Sequence, residues 1–308
     1  MDLLISRPAR EEGLMDILLI THDPDLKEYR NRALVERLEQ AGVSIKALAP
    51  AALTFHWTRR QMVLLDRRGD PVEPRLVVNG LFRNEGEGIE VVQALEYMNY
   101  PVVNRAGGWL AAKVKALTTV RLAQAGIPHP PTLFTLRNRP GLHRYARQQL
   151  GLPVVLKPWQ GALGVGVARY RTAKGLRKRL RNYKRPVYLQ RYIRHPGRDI
   201  RVLVVGDQAP AAANRIAPKG SWKTNVYLGG TPARCEVTPA LAHLALGAAR
   251  AVGLDIAGVD IIESQGRLLV IEVNAWPNYL PADPGLRVDV AQLLTGYLLR
   301  RLHKGAAG

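Results

Sequence analysis

Residues 268–274 read LLVIEVN, an apolar run of the kind that builds a buried strand, yet it ends in Glu272 and Asn274. Alternate residues of a strand face the same side, so a carboxylate and an amide project together from a core element. An unpaired carboxylate is expensive to bury, so Glu272 needs a partner. Asp260 lies in the preceding apolar segment, GVDIIE, and a short turn over residues 264–266 predicts an antiparallel hairpin between the two. Asp260, Glu272 and Asn274 then converge on one face. Two carboxylates and an amide form an oxygen-only set, which suits Mg²⁺ shared with substrate phosphates. A buried acid satisfied by a nearby Arg or Lys is the competing reading.

The rest of the chain limits the alternatives. Its 308 residues suit two or three lobes better than one core. No apolar run approaches the roughly 18–20 residues of a membrane span. The opening MDLLISRPAR reads as no signal peptide, and MDLLIS nearly repeats MDILLIT, so Met15 is a candidate true start. Cys235 is the single cysteine, which rules out an internal disulfide and points to the cytoplasm. One Cys and seven His offer no soft-metal cluster. The net charge of +20 implies polyanionic partners or strongly anionic small ligands, unless it is only a solubilising surface.

Along the chain, short strands and helices alternate from about residue 16 to 103, which predicts a small parallel sheet. Residues 101–108 are the one plausible linker. AAKVKALTTVRLAQAG then reads as a single helix closed by Gly126, Pro128 and Pro130. PVVLKPWQGALGVGV is a strand ending at Lys157 and a turn holding Gly161, Gly164 and Gly166. It matches neither the P-loop nor the dinucleotide fingerprint, because a strand follows instead of a helix. Such a flap lets backbone N–H groups approach phosphates beside the fixed charge of Lys157; an ordinary hairpin is the alternative. AKGLRKRLRNYK is a very basic helix. In VYLQRYIRHPGRDIRVLVVGD, Gln190 to Ile193 can pair with a purine edge. There Asp199 can hold ribose hydroxyls and Arg201 a phosphate, or those two form a salt bridge.

The order of these pieces resembles the ATP-grasp ligases, and most closely the RimK-type α-L-glutamate ligases, over about residues 103–301. The segments ANRIAPKGSWKTNVYLGG, AARAVGLDIAGVDIIE and LLVIEVNAWPN are the most diagnostic. The resemblance implies a fold of mixed α/β and α+β character, a small parallel N-terminal lobe followed by a two-lobed ATP-grasp domain. The lobes would span 16–103, 104–186 with the glycine-rich flap, and 187–304 with the Mg²⁺ site. It implies that Lys115 and Lys157 reach ATP phosphates, that Gly161 and Gly164 shape the flap, and that Gln190, Arg191 and Tyr192 form the adenine hinge. Asp199 takes the ribose position, and Lys223, Thr224 and Asn225 meet the triphosphate. Asp260, Glu272 and Asn274 are the Mg²⁺ ligands, Arg201 and Arg215 flank the acyl-phosphate site, and Arg83 faces substrate. One Mg²⁺ or two is implied, with Mn²⁺ able to substitute.

The sequence departs from the family at three places. Arg191 stands where Glu is usual, Ala162 and Leu163 replace polar flap residues, and Trp276-Pro277-Asn278 replaces Ser-Pro-Gly near the acceptor. The implied reaction is an ATP-dependent carboxylate–amine ligation through an acyl phosphate, adding L-glutamate to a small or carrier-borne acid. Trp159 and Trp222 are candidates to cap the site. The eight cations between Arg171 and Arg185 suit an anionic acceptor, such as an acidic carrier or a polyglutamate tail. No membrane is implied, nucleic acid ranks below the acceptor, and a homo-oligomer is open. The alternatives are another amine (2-aminoadipate or a peptide-type substrate) and a non-catalytic basic module that binds polyanions.

Overall fold

The computed structural model describes residues 14–59, 61–82, 88–161, 163–277, 279 and 285–305. The first lobe holds β1 (Leu14–Ile20), α1 (Tyr29–Gln40), β2 (Ile45–Leu48), β3 (Thr54–Trp57), β4 (Met62–Leu65), β5 (Glu73–Asn79), α2 (Ile89–Tyr97) and β6 (Val102–Val103). Its sheet runs β2-β1-β5-β6 with every pairing parallel, and β3–β4 is a separate antiparallel hairpin. Parallel strands are covered on both faces, which is why β1 and β5 read as continuous apolar runs. Leu18, Ile20 and Val77 meet Val92 and Leu95 of α2 on one face. Ile17, Leu19 and Val78 meet Leu34 and Leu38 of α1 on the other.

The expected linker at 101–108 is instead one of the most firmly held joints. Asn104 is fully buried. Its side chain accepts from the N–H of Asp255 (2.9 Å) and Ile256 (2.8 Å) and donates to the carbonyls of Ile256 and Ala275. The helix expected from residue 111 onward starts earlier and is broken in two. α3 (Ala106–Lys113) and α4 (Lys115–Gln124) meet at Val114, whose φ of −102° and ψ of 102° are extended. The break has a cause: the N–H of Lys115 donates to the carbonyl of Trp159 in the flap, at 3.0 Å, instead of continuing a helix.

The second lobe is built from β7 (Thr132–Thr135), α5 (Leu142–Leu150), β8 (Val154–Lys157), β9 (Ala168–Tyr170), α6 (Ala173–Leu180) and β10 (Val187–Arg191). Its antiparallel sheet has the order β7-β10-β8-β9. Leu142, Ala146 and Leu150 of α5 and Leu176 and Leu180 of α6 pack on Val154, Leu156, Val187 and Leu189. The alternate residues Val155, Lys157 and Gln190 line a cleft on the opposite face. β10, which starts at the residue expected to open the last lobe, is hydrogen-bonded between β7 and β8 in this sheet.

The third lobe holds β11 (Arg198–Val205), β12 (Gln208–Ile216), β13 (Thr231–Cys235), α7 (Pro239–Val252), β14 (Ile256–Ser264), β15 (Arg267–Asn274) and α8 (Val290–Gly305). Its sheet is antiparallel, in the order β13-β12-β11-β14-β15. α7 and the helices α3 and α4 cover one face, and α8 covers the other and packs in turn on α1. The β14–β15 hairpin forms as the sequence indicates, with Gln265 (φ 50°) and Gly266 (φ 72°) both left-handed at its turn. No helix among the described residues is long and apolar enough to cross a membrane.

Candidate active site

The cleft lies between the second and third lobes. Hairpin register sets its floor: Asp260 pairs directly with Glu272, and Gly258 with Asn274, so all three side chains share one face. The neighbouring pairings bring in the cations. Asp199 on β11 is opposite Arg215 on β12, and Arg201 on β11 is opposite Asp260 on β14. The guanidinium of Arg215 donates to both oxygens of Asp199, at 2.7 and 2.6 Å, and lies 2.9 Å from Asp260 Oδ2. Arg201 makes a forked pair with Asp260, through Nε and through Nη2 at 3.0 Å. Two carboxylates and two guanidiniums thus alternate across three strands.

Burial makes this chain of charges strong, because little water screens it. For Arg215, burial opposes the charge, but Asp260 and Asp199 outweigh it and hold its pKa above the ordinary value. For Asp260, burial pushes upward, while Arg201 and Arg215 hold the carboxyl below its usual range. The expected salt bridge between Asp199 and Arg201 is replaced by two cross-strand pairs. Asp199 is buried, and Arg215 and the Thr224 hydroxyl (2.8 Å) occupy its oxygens. These contacts tie Asp199 to Arg215 and to the Thr224 loop.

Glu272 is more open. Its carboxylate is 3.3 Å from Lys115 Nζ, which also donates to the Gly161 carbonyl at 2.7 Å. Lys157, on the flap strand, is half-buried and donates to Gln190 Oε1 at 2.8 Å. Burial brings its pKa down to about 8, against a partial upward pull from Glu272. The flap loop closes on the third lobe. Lys223 Nζ donates to the Gly164 carbonyl at 3.3 Å. Gly164 has φ 72°, and a Cβ there would lie 2.4 Å from Asn225 Oδ1, so glycine is required both by conformation and by space.

At the hinge, Gln190, Arg191, Tyr192 and Ile193 line the cleft. The Arg191 side chain turns away to the carbonyl of Leu150 (2.6 Å), so the Glu-to-Arg departure leaves the hinge backbone in place. Trp222 lines the same cavity and meets Tyr192 edge-on, with the Arg169 guanidinium 4.6 Å from the Tyr192 ring. Trp159 packs instead against Val114, Ala116 and Tyr188. Arg83, Ala162 and Asn278 lie outside the described residues.

A second cavity of ≈ 450 Å³ adjoins the first and shares Gly161, Arg215, Asn225 and Glu272 with it. Arg201, Asn274, Tyr227 and Trp276 also line it, as do Phe82 and Lys113, which the sequence reading missed. Also missed were Val155, Val167, Ile262 and Ile271 in the first cavity, because in sequence they are ordinary core positions. Lys113 carried a signal, a lysine two residues before Lys115 in the broken helix. None of the eight cations from Arg171 to Arg185 lines either cavity.

Among the described residues, no three His, Cys, Asp or Glu side chains are grouped as a metal centre. The oxygen-only set nevertheless fits a hard cation. Glu272 and Asn274 both face the second cavity, and Asn274 Nδ2 is anchored on the Gly258 carbonyl at 3.2 Å. Asp260 joins the set only by sharing oxygens already held by the two arginines.

Residues 112–298 match the RimK-like ATP-grasp domain family. The tetrahydromethanopterin:alpha-L-glutamate ligase of Methanococcus maripaludis is 36% identical over 225 residues, covering 69% of this chain and 75% of that protein. A probable alpha-L-glutamate ligase of Serratia proteamaculans is 31% identical over 304 residues, covering 94% and 98%. Among solved structures, the ATP-grasp ligase PsnB complexed with minimal precursor, Mg and ADP superposes with a TM-score of 0.70 at 19% identity, over 93% of this chain and 98% of that one. D-alanine–D-alanine ligase from Bacillus anthracis, complexed with ATP, gives 0.67 at 17% identity, over 95% and 97%. These two likenesses establish the ATP-grasp fold. The chain belongs to the RimK-like ATP-grasp family. It is an ATP-dependent carboxylate–amine ligase, and ATP and Mg²⁺ belong to that chemistry.

Proposed function

We propose that this ligase joins L-glutamate to the carboxylate of a small or carrier-borne acid, with an acyl phosphate between the two half-reactions. The observation that carries the reading is the convergence of Lys115, Lys157 and Glu272 beside the Arg215–Asp260–Arg201 chain, at the junction of two cavities. The first cavity takes the nucleotide. Lys115, Lys157 and Lys223 face its phosphates, the flap around Gly161 and Gly164 covers them, and the hinge from Gln190 to Tyr192 receives the base. Thr224 and Asn225 fix the loop against the flap.

The acid and the amine meet in the second cavity. Arg201 and Arg215 are fixed there by carboxylates before any substrate arrives, so they stabilise the developing acyl-phosphate charge without reorganising. Glu272 and Asn274, with Asp260, would hold Mg²⁺, which when bound supplies charge neutralisation on the phosphates. Two ions, and Mn²⁺ in place of Mg²⁺, are parts of the same reading. The amine is chosen near Trp276, whose family counterpart is small. The glutamate ligases among the relatives support glutamate as that amine. An acidic carrier or a polyglutamate tail remains an acceptor class, received at the cleft mouth rather than at α6.

The three lobes would divide as 14–103, 128–191, and 104–127 with 198–305, following sheet membership and not the boundaries expected from sequence. The single cysteine supports a cytoplasmic enzyme. The test is a matrix of candidate acids against the common amino acids and 2-aminoadipate, read by ADP release and product mass. Glutamate-dependent ADP release with a product one glutamyl residue heavier is the expected result. If another amine reacts and glutamate does not, the glutamate assignment fails while the ligase class stands.

A further inference from the structure

The positive charge of this chain is concentrated in one continuous stretch centred on the second lobe. Residues 97–198 contain 21 Lys and Arg and not one Asp or Glu. The rest of the molecule carries 24 Lys and Arg against 25 Asp and Glu, so it is neutral to within one charge. α5 and α6 bury Leu142, Ala146, Leu150, Leu176 and Leu180 on the sheet and present their remaining faces to solvent on the side away from the cleft. Between them runs an open groove of ≈ 570 Å³, lined by His143, Arg144, Arg147, Gln148, Lys174 and Arg177. All four of these Arg and Lys side chains are exposed, and none is drawn into an ion pair among the described residues.

We infer that this rear face of the second lobe docks single-stranded nucleic acid through its phosphates, at a site separate from the ligase cleft. Three observations select this occupant over an acidic protein. An acid-free surface offers a uniform field, which a polymer of identical phosphates needs. A folded protein partner is instead registered by mixed signs that reject wrong partners. The exposed cations are mainly arginines, whose planar forks match phosphate oxygens in pairs. Finally, Tyr145 is 45% exposed with the Arg139 guanidinium 5.7 Å from its ring, and Tyr183 has Arg179 at 5.1 Å. Aromatic rings among cations are stacking platforms for unpaired bases.

The inference does not depend on which acid or amine the enzyme uses. The probe is a fluorescein-labelled oligouridylate of about 16 nucleotides, long enough to span a typical single-strand site. Its anisotropy is titrated with the full-length protein at several salt concentrations. Four groove cations predict a log–log salt slope of about −3, or roughly 60-fold weaker binding between about 50 and 200 mM salt. The quadruple variant R144E/R147E/K174E/R177E should bind at least about tenfold more weakly, while keeping its Mg-ATP-dependent melting shift. The charge-matched variant R32E/R250E/R267E/K304E, reversed elsewhere on the surface, should bind like the parent. Equal weakening in both variants would mean a diffuse attraction and overturn the site. So would the absence of binding at about 10 μM protein in low salt. Stronger binding of poly-L-glutamate than of the oligonucleotide, lost in the groove variant, would overturn the nucleic-acid assignment and give the face to an acidic polypeptide.

Discussion

Arg215 joins the two buried acids of the cleft, and its loss would be felt twice. Replacing it by Met leaves Asp199 and Asp260 without their shared cation in a buried setting, and breaking such a pair costs about 3–5 kcal/mol. Arg215→Met should therefore lower the melting temperature and abolish ligation. Adding Asp199→Asn should recover part of the stability, because one orphaned charge is removed, but none of the turnover. Recovery of turnover would show that Arg215 only balances charge. Lys157 gives a second prediction, read by pH. Its folded pKa is about 8, against an ordinary value of 10.5. Below about pH 8 it is charged both folded and unfolded, and the penalty of burying the charge is present in full. As pH rises from there, the folded state sheds a proton that the unfolded state keeps, so the stability of the nucleotide-free protein gains from this group. ATP phosphates favour the charged form, so the sign reverses for binding. Mg-ATP affinity should fall as pH rises past about 8, and binding at about pH 8.5 should take up a proton. Calorimetry in two buffers of different ionisation enthalpy measures that uptake, with Lys157→Met as the control that loses it.

At the scale of elements, the joint around Asn104 is the informative case. One amide side chain serves two N–H donors and two carbonyls, and so ties the end of β6 to β14 and to the segment after β15. Asn104→Ala leaves those backbone groups buried and unpaired, which should destabilise by about 2–4 kcal/mol. The KM for ATP should stay near that of the parent, since the joint lies outside the nucleotide cavity. A melting curve and a KM measurement together check this, and a large KM change with unaltered stability would refute a purely structural role. Sequence gave no sign of the joint, because Asn104 sits among turn-forming residues and its partners are more than 150 positions away. By contrast, the β14–β15 hairpin was readable from alternation and a turn, and with it the shared face of Asp260, Glu272 and Asn274. The strand–glycine loop–strand flap was readable for the same local reason. What hid from sequence was pairing between distant strands. The register of β11 against β14 gives Arg201 to Asp260, and no periodicity reports that.

At the scale of the whole molecule, the second lobe is the part set apart, with a cleft between it and the third. The second lobe has its own small core, made only of its own residues. It touches the remainder through a small apolar cluster of Tyr188 and Trp159 with Val114 and Ala116, and through polar links: Trp159 and Gly161 to Lys115, Gly164 to Lys223, and Tyr188 to Thr119 at 2.8 Å. The first cavity holds ≈ 110 Å³, below the roughly 300–1,000 Å³ of ordinary ligand pockets. If nucleotide is taken there, as proposed, the flap must lift, and the flap links that must yield are the hydrogen bonds of Gly161 to Lys115 and of Gly164 to Lys223. A lobe with a small core and few anchors belongs to the low-stability end of a structure, where local opening is frequent. Mg-ATP bridges the lobes, so it should suppress that opening far more than it affects the buried first-lobe sheet. Hydrogen exchange with and without Mg-ATP tests this. Amides of β8, β9 and β10 should slow markedly, while those of β1 and β5 change little. The Glu272→Ala variant should show less slowing in the second lobe, because it loses both the Lys115 contact and the proposed ion. If protection instead rises evenly across all three lobes, the molecule opens as one unit and independent opening of the second lobe is ruled out.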